Sequence, residues 1–159
     1  MPLFSTDKFQ IEIERNWKNI YNISETVIPP DEREVAAMID QIMEYNKKFV
    51  ENKGYEPFLT SKYPDKKLAI LTCMDTRLIE LLPAALGIKN GDAKIIKNAG
   101  GTMVHPYGSV VRSLLVGILE LGVEEVMVIG HTDCGVQGMD GKEMLELLEK
   151  RGIDKQHID

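Results

Sequence analysis

Cysteine is scarce in this chain, with Cys73 and Cys134 the only two in 159 residues. That excludes a disulfide-stapled scaffold, and nothing places the chain in an oxidising compartment, so both are expected as thiols or metal-bound thiolates. They form no Cys-x-x-Cys pair, which excludes a thioredoxin-like site and a zinc ribbon built from short knuckles. No G-x-x-x-x-G-K-[ST] pattern occurs, so a P-loop is excluded. A phosphatase loop would need five residues between Cys and Arg, whereas three separate Cys73 from Arg77. No run of about 18 apolar residues is present, so no membrane span is expected. The first residues, MPLFSTDKFQIEIERNW, lack the apolar core of a secretory signal,. The expected address is the cytoplasm. Basic residues are outnumbered 19 to 25, for a formal charge of −6, which argues against nucleic acid as a partner.

What is present suits one domain, with 43% hydrophobic residues to supply a core,. Residues 1–66 read as an N-terminal arm followed by a helix and a loop, and residues 67–159 as an α/β core. Asp31 to about Lys53 is expected to be a helix capped by Asp31 and stopped near Gly54. Glu32 and Glu34 suit its first turn. Val35, Met38, Ile39, Ile42, Met43 and Phe49 recur at helical spacing, which predicts a buried face. Residues 54–66 read as a loop.

From Lys67 the pattern changes. Leu68 to Cys73 is a short continuous apolar run, as a strand buried on both faces requires. Thr76–Leu86 follows as a helix closed by Gly87, and Ala93–Lys97 as a strand running into the Asn98-Ala99-Gly100-Gly101 turn. Ser109–Leu121 is an apolar helix stopped by Gly122, Glu125–Gly130 a third strand, and about Lys142–Lys150 a last helix. Alternating strands and helices predict right-handed parallel crossovers. The fold class is therefore α/β, a mainly parallel sheet flanked by helices in three layers.

The chemistry-bearing residues gather at strand ends. Cys73 ends one predicted strand, and His131 follows another with Cys134 close behind. In open parallel sheets that edge is where ligands bind. Two thiols and an imidazole suit zinc, and a three-ligand set leaves the fourth position open, as in catalytic rather than structural sites. The 58 positions between Cys73 and His131 leave room for two crossovers, so the donors meet only in the folded sheet. Asp75 lies two residues beyond Cys73, within reach of the fourth position or of a water there. Arg77 can hold that carboxylate by a bidentate, charge-assisted pair. The blander alternatives are a core cysteine at Cys73, a helix cap at Asp75 and a surface charge at Arg77. The Asn98–Gly101 segment reads as a tight turn bordering the site. His105 is open to two readings, a proton relay or a surface histidine beside Pro106, and His157 lies in a polar tail.

Cys73-Met74-Asp75-Thr76-Arg77, Asn98-Ala99-Gly100-Gly101 and Gly130-His131-Thr132-Asp133-Cys134-Gly135, in this order and spacing, resemble the β-class carbonic anhydrases. The likeness covers about residues 67–136 and is closest to the short microbial forms. It implies one zinc ion per chain on Cys73, His131 and Cys134. Asp75 and Arg77 would be the catalytic dyad, the aspartate orienting the activated water or swinging in as a fourth ligand. The implied reaction is hydration of carbon dioxide to bicarbonate and a proton, by a homodimer or a dimer of dimers. Relative to that family the C-terminal part of the fold is expected to be missing, since 28 residues follow His131, which predicts a small sheet with exposed edges, either in a fragment or covered by partner contacts. Two rival functions share the scaffold: a carbon disulfide or carbonyl sulfide hydrolase, and a zinc-binding protein without hydratase activity.

Overall fold

The computed structural model describes residues 32–153. The expected arm before Asp31, the cap at Asp31 and the tail with His157 lie outside them. Seven regular elements follow in chain order: α1 (Glu32–Glu51), β1 (Leu68–Cys73), α2 (Leu78–Leu86), β2 (Ala93–Asn98), α3 (Ser109–Glu120), β3 (Glu125–Ile129) and α4 (Gly141–Lys150). The described residues divide into two compact units, Tyr55–Met139 in one and residues 32–54 with 140–153 in the other.

The unit of residues 55–139 is built on a three-stranded parallel sheet in the order β2-β1-β3. β1 is central, and its residues from Ala69 to Cys73 are buried, as a continuous apolar run at the middle of a parallel sheet must be,. Alternate residues serve opposite faces. On one face Ile70 packs with Leu78 and Leu82 of α2; on the other Ala69 packs with Leu114 of α3 and with Val123. Helix, sheet and helix make three layers, with the core between them. Gly87 takes the left-handed conformation that ends α2 (φ 62°), and Gly122 does so after α3 (φ 72°), both as expected of glycine.

β2 and β3 each pair on one side only among the described residues. The outer surface of this unit stays apolar in places, with Val126, Met127 and Val128 of β3 and Leu115, Val116 and Leu119 of α3 exposed.

The expected start of α2 shifts. The α-helix runs from Leu78 rather than Thr76, although Arg77 already has helical dihedrals, because Asp75 accepts the Arg77 amide on its side chain and the Leu78 amide on its carbonyl, closing a turn first,. In the other unit, α1 ends at Glu51 and Lys53, not Gly54, takes the left-handed position (φ 54°). The Gly54 amide then bonds the Phe49 carbonyl, and the Phe49 ring lies where a Cβ would stand. The predicted buried face of α1 is only partly realised: Met38, Ile42 and Met43 keep about half their surface exposed. Helical spacing defines a face without supplying what covers it. α4 is capped by Asp140, whose carboxylate accepts the Lys142 amide at 2.8 Å,. No described helix is long and apolar enough to cross a membrane.

Candidate metal centre

β1 delivers Cys73 at its C-terminal end, and the loop after β3 delivers His131 and Cys134. The two strands are held in step where it matters. Thr72 pairs with Ile129 in the ladder, and its hydroxyl donates to the Ile129 carbonyl at 3.0 Å. A third wall is the Asn98–Gly101 turn. Gly101 (φ 65°) lies so close to β1 that a Cβ there would stand 2.9 Å from the Thr72 carbonyl carbon and 3.1 Å from the Cys73 nitrogen. A Cβ at Gly100 (φ 77°) would instead meet the Val136 side chain at 2.9 Å. Asn98 braces the turn, donating to the Thr102 carbonyl and accepting the Thr102 amide. Glycine is required here because main chain must pass within contact of the donor strand.

The donor atoms of Cys73, His131 and Cys134 all lie within 4.8 Å of one another. Both cysteines are free, with their sulfurs 3.8 Å apart. Two thiolates bound to one tetrahedral zinc at about 2.3 Å would stand about 3.8 Å apart, so the spacing fits that ion. His131 supplies the second test. Its Nδ1 donates to the Thr132 carbonyl at 2.9 Å, which fixes the tautomer and leaves a lone pair on Nε2,. That Nε2 is buried with no hydrogen-bond partner. A buried, unpartnered acceptor beside two thiols is what a metal ion would satisfy.

Charge is arranged to match. The His131 imidazole lies near enough to the Cys73 sulfur to favour its thiolate, and with help from the Asp75 and Gly100 amides it lowers that thiol to about 7. The same contact raises His131 above the ordinary imidazole range, against the effect of burial. Asp75 is gripped by Arg77: Nε donates to Oδ1 at 2.9 Å, Nη2 to Oδ2 at 2.8 Å, and the Arg77 amide to Oδ1 at 2.9 Å. These bonds hold the Asp75 carboxyl far below the usual carboxylate range. Its Oδ2 stands 3.9 Å from His131 Nε2, beside the donors but beyond hydrogen-bond range,.

The sequence profile of the carbonic anhydrases matches residues 68–154. The chain belongs to the β-class carbonic anhydrase family. Among curated relatives, "Putative carbonic anhydrase YtiB" of Bacillus subtilis (strain 168) is 53% identical over 123 residues, 77% of this chain and 66% of that protein. "Putative carbonic anhydrase YvdA" of the same organism is 55% identical over 116 residues, 73% of this chain and 59% of that one. Among solved structures, a β-carbonic anhydrase of Trichomonas vaginalis superposes with a TM-score of 0.67 at 37% identity, covering 76% of this chain and 66% of its own. The chain thus spans less than two thirds of the length of these curated relatives.

The structure brings the site residues expected from sequence together: Cys73, His131 and Cys134 form the donor cluster, and Asp75 and Arg77 lie beside it. His105 is exposed in the segment between the glycine turn and α3, where its carbonyl accepts the Gly108 amide. One residue of the cluster escaped the sequence reading. Asp133, between the two donors of the second loop, also binds Arg77, through its side chain and its carbonyl. The available signal was an acidic residue inside a tight His-x-x-Cys loop, a residue type that tolerates left-handed backbone.

Proposed function

We propose that this chain catalyses the reversible hydration of carbon dioxide to bicarbonate and a proton, with one zinc ion held by Cys73, His131 and Cys134. The observation that carries this reading is the buried, unpartnered His131 Nε2 beside two free thiols spaced as a tetrahedral edge,. When bound, zinc would lower the pKa of a coordinated water to about 7 and so supply a nucleophile at neutral pH.

The protein's own groups account for the rest. The Thr132 carbonyl orients the His131 ring. Asp75 stays ionised because Arg77 neutralises it with three hydrogen bonds, two on Oδ1 and one on Oδ2, and the remaining lone pair of Oδ2 can take a hydrogen bond from the attacking water and align it. While Asp75 is paired with Arg77 it does not occupy a fourth ligand position, which supports an open site over a closed, purely structural one. The Gly100–Gly101 main chain borders the donors without side chains that would fill the approach.

Stopped-flow hydration of carbon dioxide by the zinc-loaded chain tests the proposal, with Cys134→Ser as the control expected to lose most of its zinc by elemental analysis. A fully loaded chain that does not accelerate hydration overturns it and leaves a zinc-binding protein. Sulfide release from carbon disulfide would instead favour hydrolysis of that substrate; relatives named carbon disulfide hydrolase are more distant, at 38% identity over 89 residues for the Saccharolobus solfataricus protein. The assembly is proposed to be at least a dimer, since the apolar residues exposed on β3 and α3 exceed the scattered single residues normal for a monomer surface. A monomer by light scattering at micromolar concentration would contradict this.

A further inference from the structure

Arg77 faces two aspartates, and the second has no part in the reading above. Besides the three bonds to Asp75, its Nη1 donates to Asp133 Oδ2 at 3.1 Å and its Nη2 to the Asp133 carbonyl at 2.8 Å. Four of the five guanidinium N–H donors are therefore divided between a residue two past Cys73 and a residue one before Cys134. We propose that Asp133 is a positioning residue: the loop carrying His131 and Cys134 holds the Arg77 fork in place, and through it fixes Asp75 beside the donors. The inference rests on the zinc-site reading and deepens it by assigning what orients the dyad.

Three observations favour positioning over simple surface pairing. The Asp133 backbone is left-handed (φ 53°), a conformation disfavoured by roughly 1 kcal/mol for a residue with a Cβ and least so for Asp and Asn. That conformation accompanies a carbonyl aimed at Nη2, a contact that a freely chosen surface loop would not need. Next, the Asp133 side chain is 89% exposed and that of Arg77 52%, so the ion pair contributes little to stability. Its effect must be sought in geometry. Finally, a half-exposed arginine has several rotamers open to it. Asp75 alone anchors one edge of the guanidinium, whereas contacts from Asp133 on Nη1 and Nη2 fix the plane from the opposite loop. Without them Arg77 is free to swing outward, and Asp75 to turn toward the donors 3.9 Å away.

The test is a double-mutant cycle in the zinc- and cobalt-loaded full chain, using Asp133→Gly, Arg77→Ala and the pair. Glycine removes the carboxylate while relieving the left-handed backbone, and Asp133→Asn keeps an acceptor for Nη1. Asp133→Gly is expected to change the cobalt visible spectrum at unchanged metal content and to lower kcat about tenfold, a coupling of the size found between neighbouring groups. In the Arg77→Ala background it should change neither. Asp133→Asn should stay within about twofold of the parent. A spectrum unaltered by Asp133→Gly, an effect that persists without Arg77, or loss of metal in Asp133→Gly would each overturn the inference. If the parent chain fails to hydrate carbon dioxide, the proposed function falls, while the spectral arm of the cycle still decides the role of Asp133.

Discussion

Thr72 and Ile129 are joined twice, as ladder partners and by a 3.0 Å bond from the Thr72 hydroxyl to the Ile129 carbonyl. The bond lies one residue before Cys73 and two before His131. Thr72 is fully buried, so Thr72→Val keeps the shape while leaving that carbonyl one bond short. A loss of about 1–3 kcal/mol is expected from denaturant unfolding. Zinc affinity should fall with it, because the relative position of the two donor strands is what the bond maintains. Unchanged stability would show that the hydroxyl is dispensable.

Two glycines with similar backbone conformations should respond differently to alanine. Gly87 (φ 62°) has nothing within 4 Å of a built Cβ, so Gly87→Ala bears only the left-handed strain, about 1 kcal/mol,. Gly101→Ala adds a collision with the β1 main chain and should cost well beyond that about 1 kcal/mol and reduce bound zinc,. Equal melting temperatures for the two variants would contradict the close approach of the turn to Cys73.

In the metal-free chain, ultraviolet thiolate absorbance should titrate with a component at about 7, and His131→Ala should raise that component toward the ordinary thiol range. The sign of the linked stability follows. A lowered Cys73 makes the contact stabilising above the ordinary thiol value, and this is lost as pH falls through about 7,. A raised His131 stabilises below the ordinary imidazole value, and this is lost as pH rises through the raised one,. Zinc requires both donors deprotonated, so its binding should release protons and weaken as pH falls.

Asp75 remains ionised across the neutral range, so its own protonation cannot shape the activity profile there. Activity should instead rise through about pH 7 with the activated water. Arg77→Ala should depress activity most on the alkaline side, where Asp75 lacks its alternative partner. Asp75→Ala should retain zinc and turn over more slowly. A flat profile from the parent, measured by stopped-flow at constant zinc content, would contradict control of the rate by an activated water.

Sequence periodicity carried the strands and most helix ends because they follow from local rules. Leu68–Cys73 is a short apolar run of strand length, as found, and Gly87 and Gly122 stop their helices where they stand,. The candidate donors were placed together for a different reason: rare side chains at strand ends leave few arrangements. Burial of α1 was not legible, since the spacing of Met38 and Ile42 says nothing of what lies against them. Asp133 was missed because its partner is 56 residues away, and an exposed carboxylate carries no mark of the guanidinium it meets. The late start of α2 reflects Asp75 bonding the Arg77 amide two residues on, a local turn that competes with the first turn of helix,.

The donors of the candidate site come from β1 and from the loop after β3, with β2, α2 and α3 in the chain between them. An ion bridging Cys73 and His131 would therefore close a covalent-like circuit around nearly the whole sandwich. Loops of that length lose several kcal/mol of unfolded-chain entropy when cross-linked, about 4 kcal/mol by the relation for disulfides. Occupancy would then act as a fastening for the entire sheet. Chelation should accelerate amide hydrogen exchange along the β1–β3 ladder as far as Leu68 and Glu125, at the end of the strands remote from the ion.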